Sequence, residues 1–319
     1  MKKVTIMIPT YNQSEYIEQA INSALGQSYK NLEVIISDDS TDNQTEKVIK
    51  EKYLSDSRIK YFHNIPSLGR VGNYHKVLYD RATGDYVLNL DGDDWLIDMN
   101  YISQAVKILD ENLDVNCVIA NQKIYIEDKN IYIEVKNNTS KIAIFDGHNY
   151  LCKIMQSEKI TFSHLTTLYR KKLAKNMDFY TKNMTFTDAQ SLFKLIINSK
   201  VAFINKNIGV WRRHFKNETF GVSNIKSFDQ LFEHFIDLKE HTSIKNIAKL
   251  DKCNWFFKMK LHYLKLYLYE IQNLYGYIEL LKKLKYLYIY DKKLFISILK
   301  WLISTKLPKI KKDKGISDV

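Results

Sequence analysis

The sequence predicts an α/β fold with a mostly parallel sheet, flanking helices and a helical C-terminal extension. Over the first hundred residues, short apolar runs alternate with amphipathic helical patterns, which is typical of a parallel sheet covered by helices. After Gly221 the pattern changes, and large apolar residues recur at intervals of three and four, as they do on packed helices. We therefore predict a first domain over residues 1–221, with halves 1–100 and 101–221, and a second region over residues 222–319.

Four strands and three helices are predicted in the first half of this domain. The strands are the apolar runs at residues 4–8, 33–37, 59–62 and 86–90. Ser14 is predicted to cap the first helix, whose apolar stripe ends near Gly26. The second helix passes through Val48 and Ile49, and the third covers residues 73–79.

The pattern beyond residue 100 is mixed before it becomes helical. Short strands are predicted at residues 115–120, 123–126 and 131–135, a helix at 188–197, and a late strand or turn at 209–213. Residues 222–319 contain only Gly276, Pro308 and Gly315 as helix breakers, so we expect three to five helices there.

Composition and charge restrict the class of protein. The chain has 319 residues, of which 45% are apolar, so it is long enough to bury a large core and disorder is not expected. The net charge is +12, but residues 281–319 alone hold 11 lysines and 3 aspartates, and charge is nearly balanced elsewhere. Because the basic excess belongs to the C-terminal tail and no reader motif is present, nucleic acid is not an expected partner.

The cysteines and the apolar runs indicate the cellular compartment in which the protein is expected. Cys117, Cys152 and Cys253 lie far apart and match no metal-ligand spacing, so neither a disulfide framework nor a zinc site is predicted, and a reducing compartment such as the cytoplasm is expected. The apolar run at residues 4–8 is shorter than the roughly 7 residues of a secretory signal core. No run approaches the roughly 18 apolar residues of a membrane span.

Polar clusters follow three of the four predicted strands. They are Thr10-Tyr11-Asn12 after the first strand, Asp38-Asp39 after the second and Asp91-Gly92-Asp93-Asp94 after the fourth. The carboxyl ends of parallel strands meet at one edge of the sheet, and ligands of such sheets bind there. The sequence therefore predicts one binding crevice lined by these clusters.

The last of these clusters has the composition of a divalent metal site. In an extended segment Asp91 and Asp93 project to the same side, and Gly92 lets a substrate or backbone approach closely. Carboxylate oxygens suit Mg²⁺ or Mn²⁺, and substrate phosphates often complete the coordination of such ions. A polar turn without a metal is the alternative.

The second cluster can recognise a nucleotide. The carboxylate of Asp39 can accept hydrogen bonds from a nucleobase or ribose, and a helix N-cap is the alternative role. No glycine-rich dinucleotide or P-loop motif follows any strand, so phosphates would be bound through a metal ion instead.

Three segments together resemble one known family. Residues 4–12 (VTIMIPTYN), 32–42 (LEVIISDDSTD) and 84–95 (GDYVLNLDGDDW) are similar in order and spacing to the family 2 inverting glycosyltransferases with the Rossmann-like GT-A fold, of the type that builds bacterial surface polysaccharides. The resemblance covers about residues 1–220 and does not include the helical tail. It implies binding of a nucleotide-diphosphate sugar, with UDP-sugars favoured.

The resemblance implies roles for the residues of the crevice. Asp39 matches the position on the uracil edge, Asp91 the position that contacts ribose and metal, and Asp93 the direct metal ligand. The other implied donor-site residues are Pro9, Thr10, Tyr11, Asn12, Arg70 and Gly92. One departure is that Ser40-Thr41 follows Asp39 directly, without the glycine usual in this motif.

Three further matches lie in residues 101–221. Asp188, in Thr187-Asp188-Ala189, matches the general base of the family, although Thr187 stands where many members have glutamate. Trp211-Arg212-Arg213-His214 resembles the Arg-x-His signature of the family, which implies that His214 reaches the metal or diphosphate and that an arginine, assigned here to Arg213, offsets phosphate charge. His164 lies in a segment that resembles the wall between donor and acceptor. Without the resemblance these would be a helix N-terminal acid, a basic surface turn and a buried structural histidine.

The implied function is a metal-dependent, inverting transfer of a hexose from a nucleotide sugar to a glycan or lipid-linked glycan. A GT-A module that binds nucleotide sugar without catalysis is one alternative. A nucleotidyltransferase is another, but it would normally carry a glycine-rich basic loop where Pro9-Thr10-Tyr11-Asn12 stands.

The sequence of the tail suggests where in the cell the protein acts. In residues 281–319 lysines interleave with leucine, isoleucine and aromatic residues, a pattern that favours reversible binding to an anionic membrane surface. We therefore expect a cytoplasmic enzyme, peripheral on the inner face of the cell membrane. The alternative is that the apolar stripe packs on the preceding helices and the lysines only face solvent.

Overall fold

The computed structural model describes residues 1–134, 142–156, 163–184, 186–214, 217 and 227–304. Its first four strands are β1 (Val4–Thr10), β2 (Leu32–Asp38), β3 (Ile59–His63) and β4 (Tyr86–Asn89). They are parallel and lie side by side in the order β3-β2-β1-β4. All four predicted strands are confirmed, with ends shifted by two residues or fewer.

Three helices connect these strands. They are α1 (Ile17–Leu25), α2 (Gln44–Lys52) and α3 (Gly69–Lys76), the last continued by a π-helical turn over Val77–Arg81. The prediction that Ser14 caps α1 is wrong. The Gln13 carbonyl accepts hydrogen bonds from the amides of Tyr16 (2.9 Å) and Ile17 (3.0 Å), so Ser14 lies inside the turn that precedes the helix and the N-cap is Tyr16.

The second half of the sheet is mixed. Its strands are β5 (Trp95–Leu96), β6 (Val115–Ile126), β7 (Ile131–Glu134), β8 (Ile142–Asp146), β9 (Thr167–Arg170) and β10 (Lys200–Arg213). β9 is antiparallel to both β4 and β6, and β10 is parallel to β6 and antiparallel to β5 and β8. The two strands predicted at 115–120 and 123–126 are one strand, and the predicted strand at 209–213 is the end of β10. Residue 135, predicted to end a strand, lies outside the described residues.

The remaining helices cover the sheet and form the tail. α4 (Tyr101–Glu111), α5 (Gly147–Gln156), α6 (Lys171–Asn176) and α7 (Thr187–Ile197) belong to the second half. α8 (Ser227–Glu240), α9 (Ile244–Lys252), α10 (Trp255–Tyr290) and α11 (Lys292–Ser304) form the tail, within the predicted three to five. Among the described residues, none of the helices combines the length and the apolar character that crossing a bilayer requires.

The core lies on both faces of the sheet, because successive strand residues point to opposite faces. On β1, Ile6 and Ile8 pack with α1 and α4, whereas Met7 belongs to a second cluster. That second cluster also contains Leu195 of α7 and residues of α8, α10 and α11, so the tail helices extend the core on that face. The predicted domain boundary at Gly221 lies outside the described residues.

One disulfide corrects the prediction from the cysteines. Cys152 of α5 and Cys253, which follows α9, are bonded, with their Cα atoms 6.0 Å apart. Their separation of 101 residues gives no sequence signal, and it is the packing of α5 against α9 and α10 that brings them together. The cysteine count therefore no longer supports a reducing compartment.

Candidate functional site

The polar clusters meet at the carboxyl ends of β1, β2 and β4. The chain moves outward from β1 to β3 and then returns to place β4 on the other side of β1, so the switch point of the sheet lies between β1 and β4. The Asp39 amide donates to the Thr10 carbonyl (2.9 Å), and the Gly92 amide donates to the Pro9 carbonyl (3.1 Å). These bonds bring the three predicted clusters into one crevice.

Gly92 is required by close packing inside the protein. A Cβ atom at this position would lie 2.6 Å from Oε1 of Gln13 and 2.7 Å from Oγ1 of Thr10. The close approach expected at Gly92 is therefore made by the last residue of β1 and the loop that follows it.

The loop after β1 forms one wall of the crevice. Asn12 has a positive φ of 52°, its amide donates to Oγ of Ser40 (2.8 Å), and its side-chain oxygen accepts from the Thr41 amide (3.1 Å). The Tyr11 side chain is more than half exposed. Together with His214, Tyr11 and Asn12 line a cavity that Gln13 and Tyr16 complete.

Asp39 organises the loop that leads into α3. Its buried carboxylate accepts hydrogen bonds from the Ser67 hydroxyl (2.7 Å), the Leu68 amide (2.9 Å) and the Gly69 amide (2.7 Å), and from the Asn64 side chain (3.0 Å). The alternative role as an N-cap is wrong, because α2 begins at Gln44. Four donors occupy a carboxylate that has about four lone-pair sites, so a nucleobase contact requires that one of them move.

Asp91 is partly buried and lies against a buried histidine and a buried tyrosine. The Tyr74 hydroxyl donates to its Oδ1 (2.9 Å), and Nε2 of His164 lies 3.1 Å from its Oδ2. The Asn89 amide contacts Nδ1 of the same histidine at 2.8 Å. Burial opposes the charge on both groups, yet their attraction raises the pKa of His164 and lowers the pKa of Asp91. His164 is thus both a buried histidine and a direct neighbour of the predicted metal and ribose position.

Asp188 faces the same cluster from α7. It lies in the first turn of the helix and is partly exposed. Burial raises the pKa of Tyr74 and opposes the raised pKa of His164, whereas the charge of Asp91 raises both. The negative charge of Asp188 is a further cause that raises both pKa values, so its carboxylate lies near these two side chains. Within the described part of the chain, the Asp188 carboxylate accepts no hydrogen bond. A partly exposed carboxylate beside the crevice can take a proton from a bound ligand.

Asp93 has a different histidine partner from Asp91. Nε2 of His214 lies 2.9 Å from its Oδ2, and the Asn217 amide donates to the same oxygen (3.1 Å). The His214 ring stacks on the Tyr16 ring, with 5.0 Å between the centroids. In the residues that the structure describes, no group of three His, Cys, Asp or Glu side chains is arranged to hold a metal ion. The described geometry thus offers Asp93 and His214 as a pair of oxygen and nitrogen donors.

Arg212 holds the acidic turn in place, a role that the sequence analysis missed. Its backbone amide donates to Oδ1 of Asp94 (2.9 Å), and its Nε donates to the Asp93 carbonyl (3.0 Å). Its guanidinium also donates to Glu127 (2.8 Å) and lies 4.6 Å from the Tyr16 ring centroid. Burial first, and then the charges of the neighbouring aspartates, raise the pKa of Asp94. The available signal was spacing, since Arg212 lies two residues before His214, and residues two apart in an extended segment project to the same side.

Arg213 and Arg70 occupy less central positions. The guanidinium of Arg213 lies 5.7 Å from the Trp211 ring centroid and is partly exposed. Arg70 donates to the Met184 carbonyl (3.2 Å) and lies 5.9 Å from the Tyr74 ring centroid, so it stands beside the Asp91 cluster. Their predicted contacts with a diphosphate stay predictions.

Known proteins of similar sequence are glycosyltransferases. The GalNAc(5)-diNAcBac-PP-undecaprenol beta-1,3-glucosyltransferase of Campylobacter jejuni is 27% identical over 277 residues, which cover 83% of this chain and 84% of that protein. Glycosyltransferase GlyG of Streptococcus pneumoniae is 25% identical over 215 residues, covering 66% of this chain and 70% of that protein.

Solved structures share the fold of this chain. S. aureus TarS 1-349 superposes with a TM-score of 0.68 at 20% identity, over 92% of this chain and 80% of that one. Mannosyltransferase PcManGT from Pyrobaculum calidifontis, solved with GDP-Man and Mn²⁺, has a TM-score of 0.58 at 17% identity, over 98% of this chain and 88% of that one. These similarities confirm the predicted GT-A type of α/β fold.

The family assignment follows from a match over more than half of the chain. The model of the family described as Glycosyl transferase family 2 matches residues 5–178, which include β1, β2, β4 and the acidic turn after β4. The chain therefore belongs to glycosyl transferase family 2.

Proposed function

We propose that this protein is a metal-dependent, inverting hexosyltransferase that uses a nucleotide-diphosphate sugar, with UDP-sugars favoured. The observation that carries the proposal is the position of Asp188, a carboxylate without a hydrogen-bond partner in the described chain, beside the cluster at the carboxyl ends of β1 and β4. Two fold neighbours support the donor class, since TarS 1-349 has been solved with UDP-GlcNAc and PcManGT with GDP-Man.

The donor set at the acidic turn fits a divalent ion. Asp93 supplies carboxylate oxygen and His214 supplies imidazole nitrogen, both acceptable to Mn²⁺, and a diphosphate can provide further oxygens. Asp91 is the third residue assigned to this ion, and its carboxylate is paired with His164 in the described structure. When bound, Mn²⁺ or Mg²⁺ would neutralise the negative charge that develops on the departing diphosphate.

In the proposed reaction, the residues of this chain position the substrates and move one proton. The acceptor hydroxyl oxygen attacks the anomeric carbon, the bond from that carbon to the diphosphate oxygen breaks, and the hydroxyl proton passes to Asp188. Attack from the face opposite the diphosphate inverts the anomeric configuration. His164 and the loop after β1 would line the acceptor and nucleotide sides of the crevice.

We further propose that residues 1–221 form the transferase domain and that the acceptor is a glycan or lipid-linked glycan. The relative from Campylobacter jejuni carries an undecaprenol-linked acceptor in its name, which supports this acceptor class. Such an acceptor would be met at the inner face of the cell membrane.

A panel of nucleotide sugars tests the proposal. The full chain is incubated with each UDP-, GDP- and dTDP-sugar, with Mn²⁺, Mg²⁺ or a chelator, and release of nucleoside diphosphate is measured. We expect release with one donor class, dependent on the divalent ion and stimulated by acceptor. Tight donor binding without release in any combination would favour the non-catalytic module. In a parallel incubation with nucleoside triphosphates, release of pyrophosphate would favour a nucleotidyltransferase.

A further inference from the structure

We propose that the C-terminal half of α10 together with α11 docks on an anionic lipid bilayer through one defined surface, here called the docking face. It consists of five residues of α10 and four of α11: Ile278, Leu281, Lys282, Lys285, Ile289, Lys292, Ile296, Lys300 and Ile303. The docking face itself is independent of the proposed function. Its purpose, to bring the site to a lipid-linked acceptor, rests on that function.

The sequence positions place these residues on one side of each helix. On α10, residues 278, 281, 282, 285 and 289 follow the spacing of a single helical face, and on α11 residues 292, 296, 300 and 303 do the same. The opposite side of each helix carries the buried residues, among them Leu284, Leu287 and Leu294. Both helices therefore pack through an inner stripe and retain a second apolar face outside.

The exposure of this second face is unusual for large aliphatic side chains. Ile278 is 75% exposed, Ile289 is 74% exposed and Ile303 is 78% exposed. The sequence left open whether the apolar stripe of the tail packs on preceding helices or faces a membrane. The structure has two stripes, and only the inner one is buried.

The charge of the docking face identifies the occupant. Four of its nine residues are lysines, and the neighbouring Glu279 pairs with Lys282 at 3.1 Å. A second copy of this surface would bring lysines against lysines. Residues 305–319 lie outside the described part of the chain, and their sequence adds five lysines and two aspartates, so they add positive charge. An anionic bilayer accepts both the ammonium groups and the aliphatic side chains.

The helices that carry the docking face are connected to the candidate site. Tyr263 of α10 contacts the Phe186 ring just before α7, with 4.8 Å between the centroids, and the Asp188 charge contributes to the raised pKa of Tyr263 after burial. α10 is bent. Lys293 comes after the end of α10, yet its ammonium group lies 4.6 Å from the ring centroid of Phe257, which is near the start of the same helix. Binding at the docking face therefore holds α10, and with it α7, at the lipid surface.

Flotation of the full chain with vesicles tests the docking face. The vesicles are phosphatidylcholine alone or phosphatidylcholine with phosphatidylglycerol. One variant replaces the four lysines of the docking face by glutamate, and its control replaces the exposed Lys30, Lys47, Lys107 and Lys245 by glutamate. A second variant, Leu281→Ser, Ile289→Ser and Ile303→Ser, is compared with Leu113→Ser and Ile244→Ser, whose side chains are at least as exposed. Circular dichroism and thermal unfolding verify the fold of each variant.

We expect binding that requires the anionic lipid and weakens with salt. Each lysine near an anionic surface contributes roughly fivefold in partitioning, so the lysine variant should lose well over 10-fold, whereas each control stays within about twofold. The proposal would be overturned if the docking-face variants bound vesicles as well as their controls do, or if the wild-type chain did not bind at all. It would also be overturned if the wild-type chain formed a dimer that the docking-face variants abolish and the controls do not. Donor turnover with a soluble acceptor is measured separately. If the chain turns over donor but does not bind vesicles, only the docking proposal is contradicted. If it binds vesicles but does not turn over donor, only the proposed function is contradicted.

Discussion

Asp237→Asn should destabilise the protein strongly, because this residue joins the tail to the helix that carries Asp188. Asp237 lies on α8 and is 1% exposed. Its carboxylate lies 2.8 Å from the ammonium group of Lys194 on α7, accepts a hydrogen bond from the Gln190 amide and lies 2.5 Å from the ammonium group of Lys182. The substitution keeps the size of the side chain, removes its charge and replaces one acceptor oxygen by an NH2 donor.

The expected magnitude follows from the burial of the partners. The Lys182 side chain is 47% exposed and can return its charge to water, whereas the Lys194 side chain is 1% exposed and cannot. Removing one member of a buried pair costs about 3–5 kcal/mol, because the other charge is left uncompensated. We expect a loss of about 3 kcal/mol for Asp237→Asn, and less than about 1.5 kcal/mol for Asp237→Asn with Lys194→Met, which removes both charges.

Urea denaturation measures these free energies, with Glu18→Gln as the matched control. Glu18 pairs with Lys52 at 2.7 Å, but both side chains are 40% exposed or more, so the control should cost about 1 kcal/mol or less. Burial opposes the charge of Asp237, yet its bonds to Lys182 and Lys194 lower its pKa. The stability from this carboxylate is therefore present above the unfolded pKa of about 3.9 and lost as the pH falls through the lower folded value. The reasoning would be refuted if Asp237→Asn were no less stable than Glu18→Gln. It would also be refuted if the loss of stability in the double variant equalled the sum of the losses from Asp237→Asn and Lys194→Met measured separately.

Three other predictions concern the site and the disulfide. Gly92→Ala should destabilise the crevice by about 1–3 kcal/mol in thermal unfolding, since its Cβ would lie within 2.7 Å of the side chains of Thr10, at the end of β1, and Gln13, in the loop that follows; unchanged stability would contradict the packing. Replacing both Cys152 and Cys253 by serine should cost about 2–5 kcal/mol in urea, because the bond closes a loop of about 100 residues; no loss would show that the bond does not form. Stability from the His164 and Asp91 pair should be full between the unfolded pKa of Asp91, about 3.9, and that of His164, about 6.5, and it should decline as the pH rises through the raised pKa of His164; His164→Asn should remove that decline.

The periodic elements were predictable, and the contacts between distant segments were not. The four parallel strands carry short apolar runs, and β1 and β4 each end at a polar cluster, so sequence alone located the crevice. β9 was missed because Thr167–Arg170 has only four residues and no alternation, and its place between β4 and β6 depends on tertiary pairing. The disulfide was missed for the same reason, since its two cysteines are brought together only by packed helices.

In the candidate site, too, local patterns were predictable from the sequence and contacts between distant residues were not. The spacing of Asp91 and Asp93 predicted two carboxylates at one strand end, and both lie there. That each has its own histidine, His164 and His214, depends on residues more than 70 positions away. Arg212 illustrates a misjudged signal, because the phosphate role was assigned to Arg213 although Arg212 lies two residues before His214, which directly follows β10.

The central claim is that Asp188 is the general base of an inverting transfer, and the turnover of Asp188→Asn tests it most directly. With the donor identified from the panel held at saturation, kcat is measured for the variant and for the wild-type chain, and donor affinity is measured by calorimetry as an internal reference. We predict a decrease in kcat of about 10²-fold to 10⁴-fold with donor affinity unchanged, because the amide cannot accept the acceptor proton. A variant that turns over within tenfold of the wild-type chain would contradict the account.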